Sequence, residues 1–251
     1  MKAIIIAAGA GTRLYPITKD IPKSLVDVGQ GLTLLETQLH SLQECGIRDI
    51  VMIIGYRARQ IEAKLDEFRS DFNIETVYNP FFETSNNLVS VWMARHHFAD
   101  EFITINGDDI FDASVIKTLM ESPHPITMVT DVKAAYDEDD MKIITENGLV
   151  KRVSKKIALD QATGESVGII RFCDSGPQIY TQMLETMVRI PKNMNVFYLK
   201  AIQEIIDAGH EVHFSKCESS DWGEIDFHPD LEMIRQYVSQ TNLVERILNK
   251  N

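Results

Sequence analysis

Gly9 and Gly11 close an apolar run of strand length, Met1–Ala8, and two cations, Arg13 and Lys23, follow them. Glycines let main-chain N–H groups approach an anion closely, and a nest of such groups makes an anion-binding concavity. Arg13 adds a planar fork of donors and Lys23 a compact charge on a flexible stem. An ordinary strand-to-loop turn can also use Gly-x-Gly, but the added cations, with Pro16 and Pro22, favour a phosphate. A P-loop is excluded because Lys23-Ser24 follows Pro22, and the dinucleotide fingerprint fails because position 14 is Leu. Carboxylates supply the opposite sign. Gly107-Asp108-Asp109 follows the strand-like Glu101–Asn106. A carboxylate just past a parallel strand sits where open α/β sheets bind ligands, and magnesium takes one or two carboxylates plus substrate phosphates. One of this pair is therefore a metal-ligand candidate, whereas Asp112 reads as a helix N-cap. Glu224 and Asp226 are two residues apart, so on a strand they would share a face and could both serve a metal.

The elements that must position these groups alternate along the chain. Strands are expected at Asp49–Ile54, Ile74–Tyr78, Ile126–Val132, Glu165–Phe172 and Glu211–Lys216. Helices are expected at Leu34–Leu42, Arg57–Phe68, Leu88–His97, Gly176–Arg189 and Val196–Ala208, with further C-terminal helices to Asn251. Asn147-Gly148 marks a hairpin between Lys142–Thr145 and Leu149–Val153. This alternation predicts an α/β fold with a mostly parallel sheet. One domain of 251 residues is expected, with C-terminal helices at 231–251.

The formal net charge of −12 argues against a nucleic-acid binder. It would also repel a triphosphate at long range, but screening over about 8–10 Å lets the local field decide. Locally the first 23 residues carry Lys2, Arg13, Lys19 and Lys23 against Asp20 alone. No apolar stretch reaches the ~20 residues that span a bilayer, so no membrane insertion is expected. The N-terminus does not read as a secretion signal. Cys45, Cys173 and Cys217 are widely spaced with no Cys-x-x-Cys pair, which suggests reduced thiols in a cytoplasmic protein and no zinc site.

Ala8-Gly9-Ala10-Gly11-Thr12-Arg13-Leu14, Pro16 and Pro22-Lys23 resemble the signature of the sugar-phosphate nucleotidyltransferase superfamily. Asn86-Asn87-Leu88-Val89-Ser90 is most similar to its phosphocholine cytidylyltransferase branch. The resemblance covers about 230 of the 251 residues, with no β-helix hexapeptide array or kinase-like extension. It implies a Rossmann-like three-layer α/β/α sandwich and a loop, Ala8 to Arg13, wrapped around a nucleoside triphosphate. Arg13 and Lys23 would bear on the reacting phosphates, and Asn79 and Asn87 would read the base. Asp108 would hold Mg2+ with Asp226, alongside Glu224. The resemblance also makes 1–130 the nucleotide-binding half and 131–230 the acceptor-binding half, in which Lys142, Lys155, Glu165 and Gly168 fall. A cationic acceptor could meet aromatic faces, for which Tyr136, Phe172, Tyr198 and Trp222 are candidates, though each could equally be core.

The expected reaction joins a nucleoside triphosphate, CTP first, to a small phosphate or phosphonate such as phosphocholine and releases pyrophosphate. A hexose-1-phosphate nucleotidyltransferase using UTP or dTTP is the alternative. A nucleotide-sugar glycosyltransferase is disfavoured because Asp108 and Asp109 are adjacent rather than Asp-x-Asp, and a nucleotide sensor because the metal carboxylates are retained. A homo-oligomer stays open.

Overall fold

The structure, a computed structural model, describes residues 1–240. The opening apolar run forms β1 (Lys2–Ala7), and the chain then winds through three short helical turns before α1 (Leu34–Glu44). A capping box starts α1: the Thr33 hydroxyl accepts from the Glu36 N–H while the Glu36 carboxylate accepts from the Thr33 N–H. There follow β2 (Asp49–Ile54), α2 (Ala58–Asp66), β3 (Asn73–Tyr78), α3 (Asn87–Met93) and β4 (Phe102–Asn106). A tight turn leads into the three-residue β5 (Asp109–Phe111), then α4 (Ala113–Met120) and β6 (Ile126–Asp131). Asp112 caps α4 by accepting from the Ser114 N–H, as its position suggests.

The hairpin of β7 (Lys142–Glu146) and β8 (Leu149–Val153) turns on Asn147 and Gly148, both at positive φ. The long β9 (Gly164–Phe172) precedes α5 (Gly176–Val188), α6 (Leu199–Asp207), β10 (His213–Cys217), β11 (Trp222–Glu224) and α7 (His228–Gln240). The helix expected from Val196 begins only at Leu199, and the one expected to His97 breaks after Met93 into a tighter turn at Arg95–His97. The C-terminal helices expected beyond Gln240 lie outside the described residues.

Nine strands make one sheet in the order β3-β2-β1-β4-β9-β6-β10-β8-β7, and β5 pairs with β11 in a small ribbon beside it. β1 to β4 are mutually parallel, β10 joins β6 in parallel, and β9 runs antiparallel between β4 and β6. Apolar side chains of β1, β2, β4 and β9 project to both faces, as a sheet covered on both sides requires. On one face Leu88, Val91, Tyr180, Leu184, Ile202 and Ile205 cover it with α3, α5 and α6. On the other, Leu35, Leu39, Ile61, Leu65, Val115 and Ile116 do so with α1, α2 and α4. The result is a three-layer α/β/α sandwich. A third apolar cluster joins the two ends of the described chain: Leu14, Val26 and Val28 pack with Ile225, Leu231, Ile234 and Val238. Among the described residues no helix is long and apolar enough to cross a membrane.

Candidate functional site

The loop after β1 lies across the carboxyl ends of the strands. Gly11 sits at φ +60°, and a side chain there would come within 3.2 Å of Lys23 Cβ, so this position needs glycine for both reasons. The Thr18 hydroxyl donates to the Gly11 carbonyl and pins the turn. The N–H groups from Ala10 to Arg13 meet no acceptor among the described residues, which leaves them open to an anion. Gly11, Thr12 and Arg13 border a cavity of about 410 Å³ that also reaches Lys23 and Asp108.

Lys23 is the centre of this arrangement. Its ammonium donates to Asp108 Oδ2 at 2.7 Å and to Asp226 Oδ1 at 2.9 Å. Arg13 donates to the other Asp226 oxygen at 2.5 Å. Burial opposes the charge on Lys23, but Asp108 and Asp226 overcome it and hold the ammonium well above its usual range. Asp226 shows the reverse: burial opposes ionisation, yet Lys23 and Arg13 keep its carboxyl below the ordinary value.

Behind this network stand Asp109 and Glu224. One carboxylate oxygen from each of Asp108, Asp109 and Glu224 lies within 4.8 Å of the others. Asp109 is fully buried, and neither of its carboxylate oxygens has a hydrogen-bond partner. Burial, with the charges of Asp108 and Glu224, pushes its carboxyl well above the usual range. Glu224 is pushed up to about 8 by burial and then by Asp108 and Asp226. Three hard oxygen donors, one of them orphaned in the interior, suit a divalent cation such as magnesium. Helix α1 braces this segment from behind: the buried Gln38 amide donates to the carbonyls of Asn106 and Asp109, and the Ser41 hydroxyl to that of Phe111. From the other side the Ile225 N–H donates to the Asp108 carbonyl, while Glu224 pairs with Asp109 across the β5–β11 ribbon.

The pairing of Glu224 and Asp226 on one strand face is corrected here. β11 ends at Glu224, and Asp226 lies on the turn into α7, its N–H accepted by Asp230. The alternation therefore stops before it reaches Asp226, which turns to the two cations, and Asp109 joins the carboxylate cluster in its place. Adjacency to Asp108 was the available sequence signal for Asp109; what the sequence lacked was its burial.

A central cavity of about 270 Å³ continues from the loop, and Gly9, Arg13, Asn87, Asp108, Lys155 and Glu165 are among the residues on its walls. Ala8 also lines it, and the Asn87 amide oxygen accepts from the Tyr198 N–H. Asn79 does not reach this space. It is fully buried, its amide donates to Ser90 and its oxygen accepts from the Phe81 N–H, so it builds the turn instead of reading a base. Lys142 is displaced too: 1% exposed, it spends its ammonium on the carbonyls of Asp137, Glu138 and Asp140 and so shapes the acidic loop from behind. Phe172 is core, stacked on Phe102 and Tyr180.

Gly168, at φ +80°, serves by absence, since a Cβ there would fall 2.0 Å from the Asn106 amide nitrogen. The buried Tyr198 hydroxyl donates to Asn106 Oδ1 and to the Gly168 carbonyl, tying α6 to the centre of the sheet. Trp222 lines an adjoining cavity of about 650 Å³ with Asp137–Asp140, Glu165, Glu224 and Tyr237. Its indole N–H donates to Asp131, which also accepts from Ser219. Tyr136 stands half-buried nearby, its phenol pushed up by burial and by the charges of Asp131 and Glu165. Lys133 pairs with Glu165, whose carboxyl burial nevertheless pushes up to about 7.

Residues 2–159 match the family described as Nucleotidyl transferase. The chain belongs to that family. Among its curated relatives is a choline-phosphate cytidylyltransferase of Streptococcus pneumoniae, 38% identical over 109 residues, which are 43% of this chain and 45% of that protein. The first curated relatives are matched over about half of their length or less. A CTP:phosphoglutamine cytidylyltransferase of Campylobacter jejuni is 24% identical over 93% of this chain and 98% of its own. In fold, the chain is similar to the inositol-1-phosphate CTP transferase from T. maritima, with a TM-score of 0.81 at 21% identity over 99% of this chain and 96% of that one.

Proposed function

We propose that this family member transfers a cytidylyl group from CTP to a small phosphate or phosphonate, phosphocholine or a similarly cationic ester, and releases pyrophosphate. The observation that carries the reading is the Lys23 bridge between Asp108 and Asp226, completed by Arg13, at the mouth of a loop whose N–H groups stand open. Cations and carboxylates that would serve the two substrates neutralise one another at rest. An arriving triphosphate offers Lys23 and Arg13 further partners and frees Asp108.

In the proposed step an acceptor phosphate oxygen forms a bond to the α-phosphorus, the bond from that phosphorus to the bridging oxygen breaks, and pyrophosphate leaves with the electron pair. The attacking oxygen is already anionic, so no general base is required. Catalysis then rests on positioning and charge neutralisation. Lys23 orients the α-phosphate, Arg13 meets charge that grows on the leaving group, and the Ala8–Arg13 loop holds the remaining phosphates. Asp108, Asp109 and Glu224 would hold the divalent ion, Mg2+ by the hardness of the donors, and Asp226 would keep the two cations aligned beside it. When bound, that ion supplies Lewis-acid neutralisation between two anionic substrates. The acidic cavity beside Trp222 supports a cationic head on the acceptor.

The two relatives named for cytidylyl transfer support CTP. Pyrophosphate release measured with four triphosphates against a panel of small phosphates tests the proposal. CTP with an amine-bearing phosphate should give the highest kcat/KM. Preference for UTP or dTTP with hexose 1-phosphates would instead establish the hexose-1-phosphate alternative, and silence across the panel would refute transfer altogether.

A further inference from the structure

The segment Lys151–Lys156 supplies four cations in six residues, none of which the proposed reaction uses, and of the four only Lys155 lines the central cavity. In a regular strand Lys151 and Arg152 would point to opposite faces. Here the pairing of β7 with β8 slips: Ile144 faces Arg152, but Thr145 faces Val150, so Lys151 is an extra residue. Such a bulge re-aims side chains. Both cations are exposed and line one groove of about 800 Å³ together with Lys155, Lys156 and Lys200. Among the described residues Lys151, Arg152 and Lys156 form no salt bridge with a carboxylate, although the chain carries a formal charge of −12. Lys200 pairs with Glu204, and Asp207, the one acid on the groove wall, accepts from Gln203. The half-exposed Phe197 forms the floor, with the Lys155 ammonium 5.3 Å from its ring centre.

The groove is continuous with the central cavity, because Met141, Lys155, Phe197 and Leu199 line both. Unneutralised positive charge therefore extends outward from the central cavity along a groove that none of the Ala8–Arg13 loop residues lines. We propose that this groove seats a second anionic group of the acceptor, a carboxylate or a further phosphate distinct from the attacking one. The inference rests on the transferase reading above and narrows its substrate class to acceptors that carry such a group beyond the reacting phosphate, so that phosphocholine, which has none, gives way to amine-bearing phosphates with a second anion.

Matched acceptors test it: phosphoethanolamine against O-phosphoserine, and glycerol 3-phosphate against 3-phosphoglycerate, each pair differing by a carboxylate. Exposed charge contacts are individually weak, so the carboxylate-bearing member is expected to show an advantage of about tenfold in kcat/KM. The triple variant Lys151→Gln, Arg152→Gln, Lys156→Gln should abolish that advantage through KM and leave the constants of the carboxylate-free members unchanged. Equal kcat/KM within both pairs, or an advantage that survives in the variant, overturns the proposal. So does a carboxylate compound that alters turnover of the neutral acceptor without being consumed, because the anion would then not belong to the acceptor. If no acceptor releases pyrophosphate, it is the transferase reading that has failed, and the groove is judged by NMR titration with inorganic phosphate. Amide shifts at Lys151–Lys156 that vanish in the triple variant support an anion seat there, and shifts confined to Gly9–Arg13 refute it.

Discussion

Lys23 is held by two carboxylates that lie far apart in the sequence, and its removal would leave Asp108 without its cation and Asp226 with Arg13 alone. Lys23→Ala should lower kcat by about 10²–10³, the effect of losing one centrally placed donor, while circular dichroism stays native. Near-normal turnover in a folded variant would remove Lys23 from the reaction. Glu165 makes a separate claim about pH. Burial raises its carboxyl from the ordinary 4.5 to about 7, against the pull of Lys133 and with the push of Asp140. The folded chain therefore binds more protons than the unfolded chain between those values. Its contribution to stability is full below about pH 4.5 and is lost as pH rises through about 7. Glu165→Gln should flatten the fall in Tm across that window relative to the parent, and parallel curves would mean that Glu165 is ionised throughout. That Arg13, Lys23 and Asp108 meet at one cavity was legible in the sequence, because two cations follow the Gly9–Gly11 turn, a carboxylate stands at a strand end and the family signature ties them together. Asn79 was not, since an amide that closes a turn and one that reads a base have the same sequence; only its burial separates them.

At the scale of elements, the site depends on joints that have no chemistry of their own. Gly168 lies where β9 passes Asn106, and Gly168→Ala would combine a left-handed backbone with a 2.0 Å clash. A loss of about 1–3 kcal/mol in urea unfolding is expected, together with reduced turnover as Tyr198 loses its partners. Unchanged stability would show that Asn106 can move aside. Thr33 and Glu36 line none of the cavities described above, so Thr33→Ala should cost about 1 kcal/mol in urea unfolding and leave KM unaltered. Element type was readable from periodicity along most of the chain, including the Asn147-Gly148 hairpin. The order of strands was not, because insertion of β9 between β4 and β6 depends on long-range pairing that no local pattern encodes. Nor was the bulge at Lys151, which moves two side chains without changing the hydrophobic pattern.

For the whole molecule, the carboxylate cluster should make stability depend on divalent cations. An ion present at about 100 times its Kd adds about 2.7 kcal/mol, which in a chain of this size corresponds to a Tm rise of about 5–11 °C. Magnesium should produce that rise, EDTA should reverse it, and Glu224→Gln should blunt both in thermal melts. A melt indifferent to magnesium would leave Asp108, Asp109 and Glu224 without an ion to hold. The clamp also has a consequence in time. Lys23 meets Asp226 across 203 positions of sequence, and at about 5–20 residues per second a ribosome needs roughly 10–40 s to make that stretch. During this interval the cations of the nascent chain have emerged while their later partner is still unmade. The phosphate-binding loop is thus translated well before Asp226, so a chain stalled between them would hold Arg13 without its carboxylate and Lys23 with Asp108 alone.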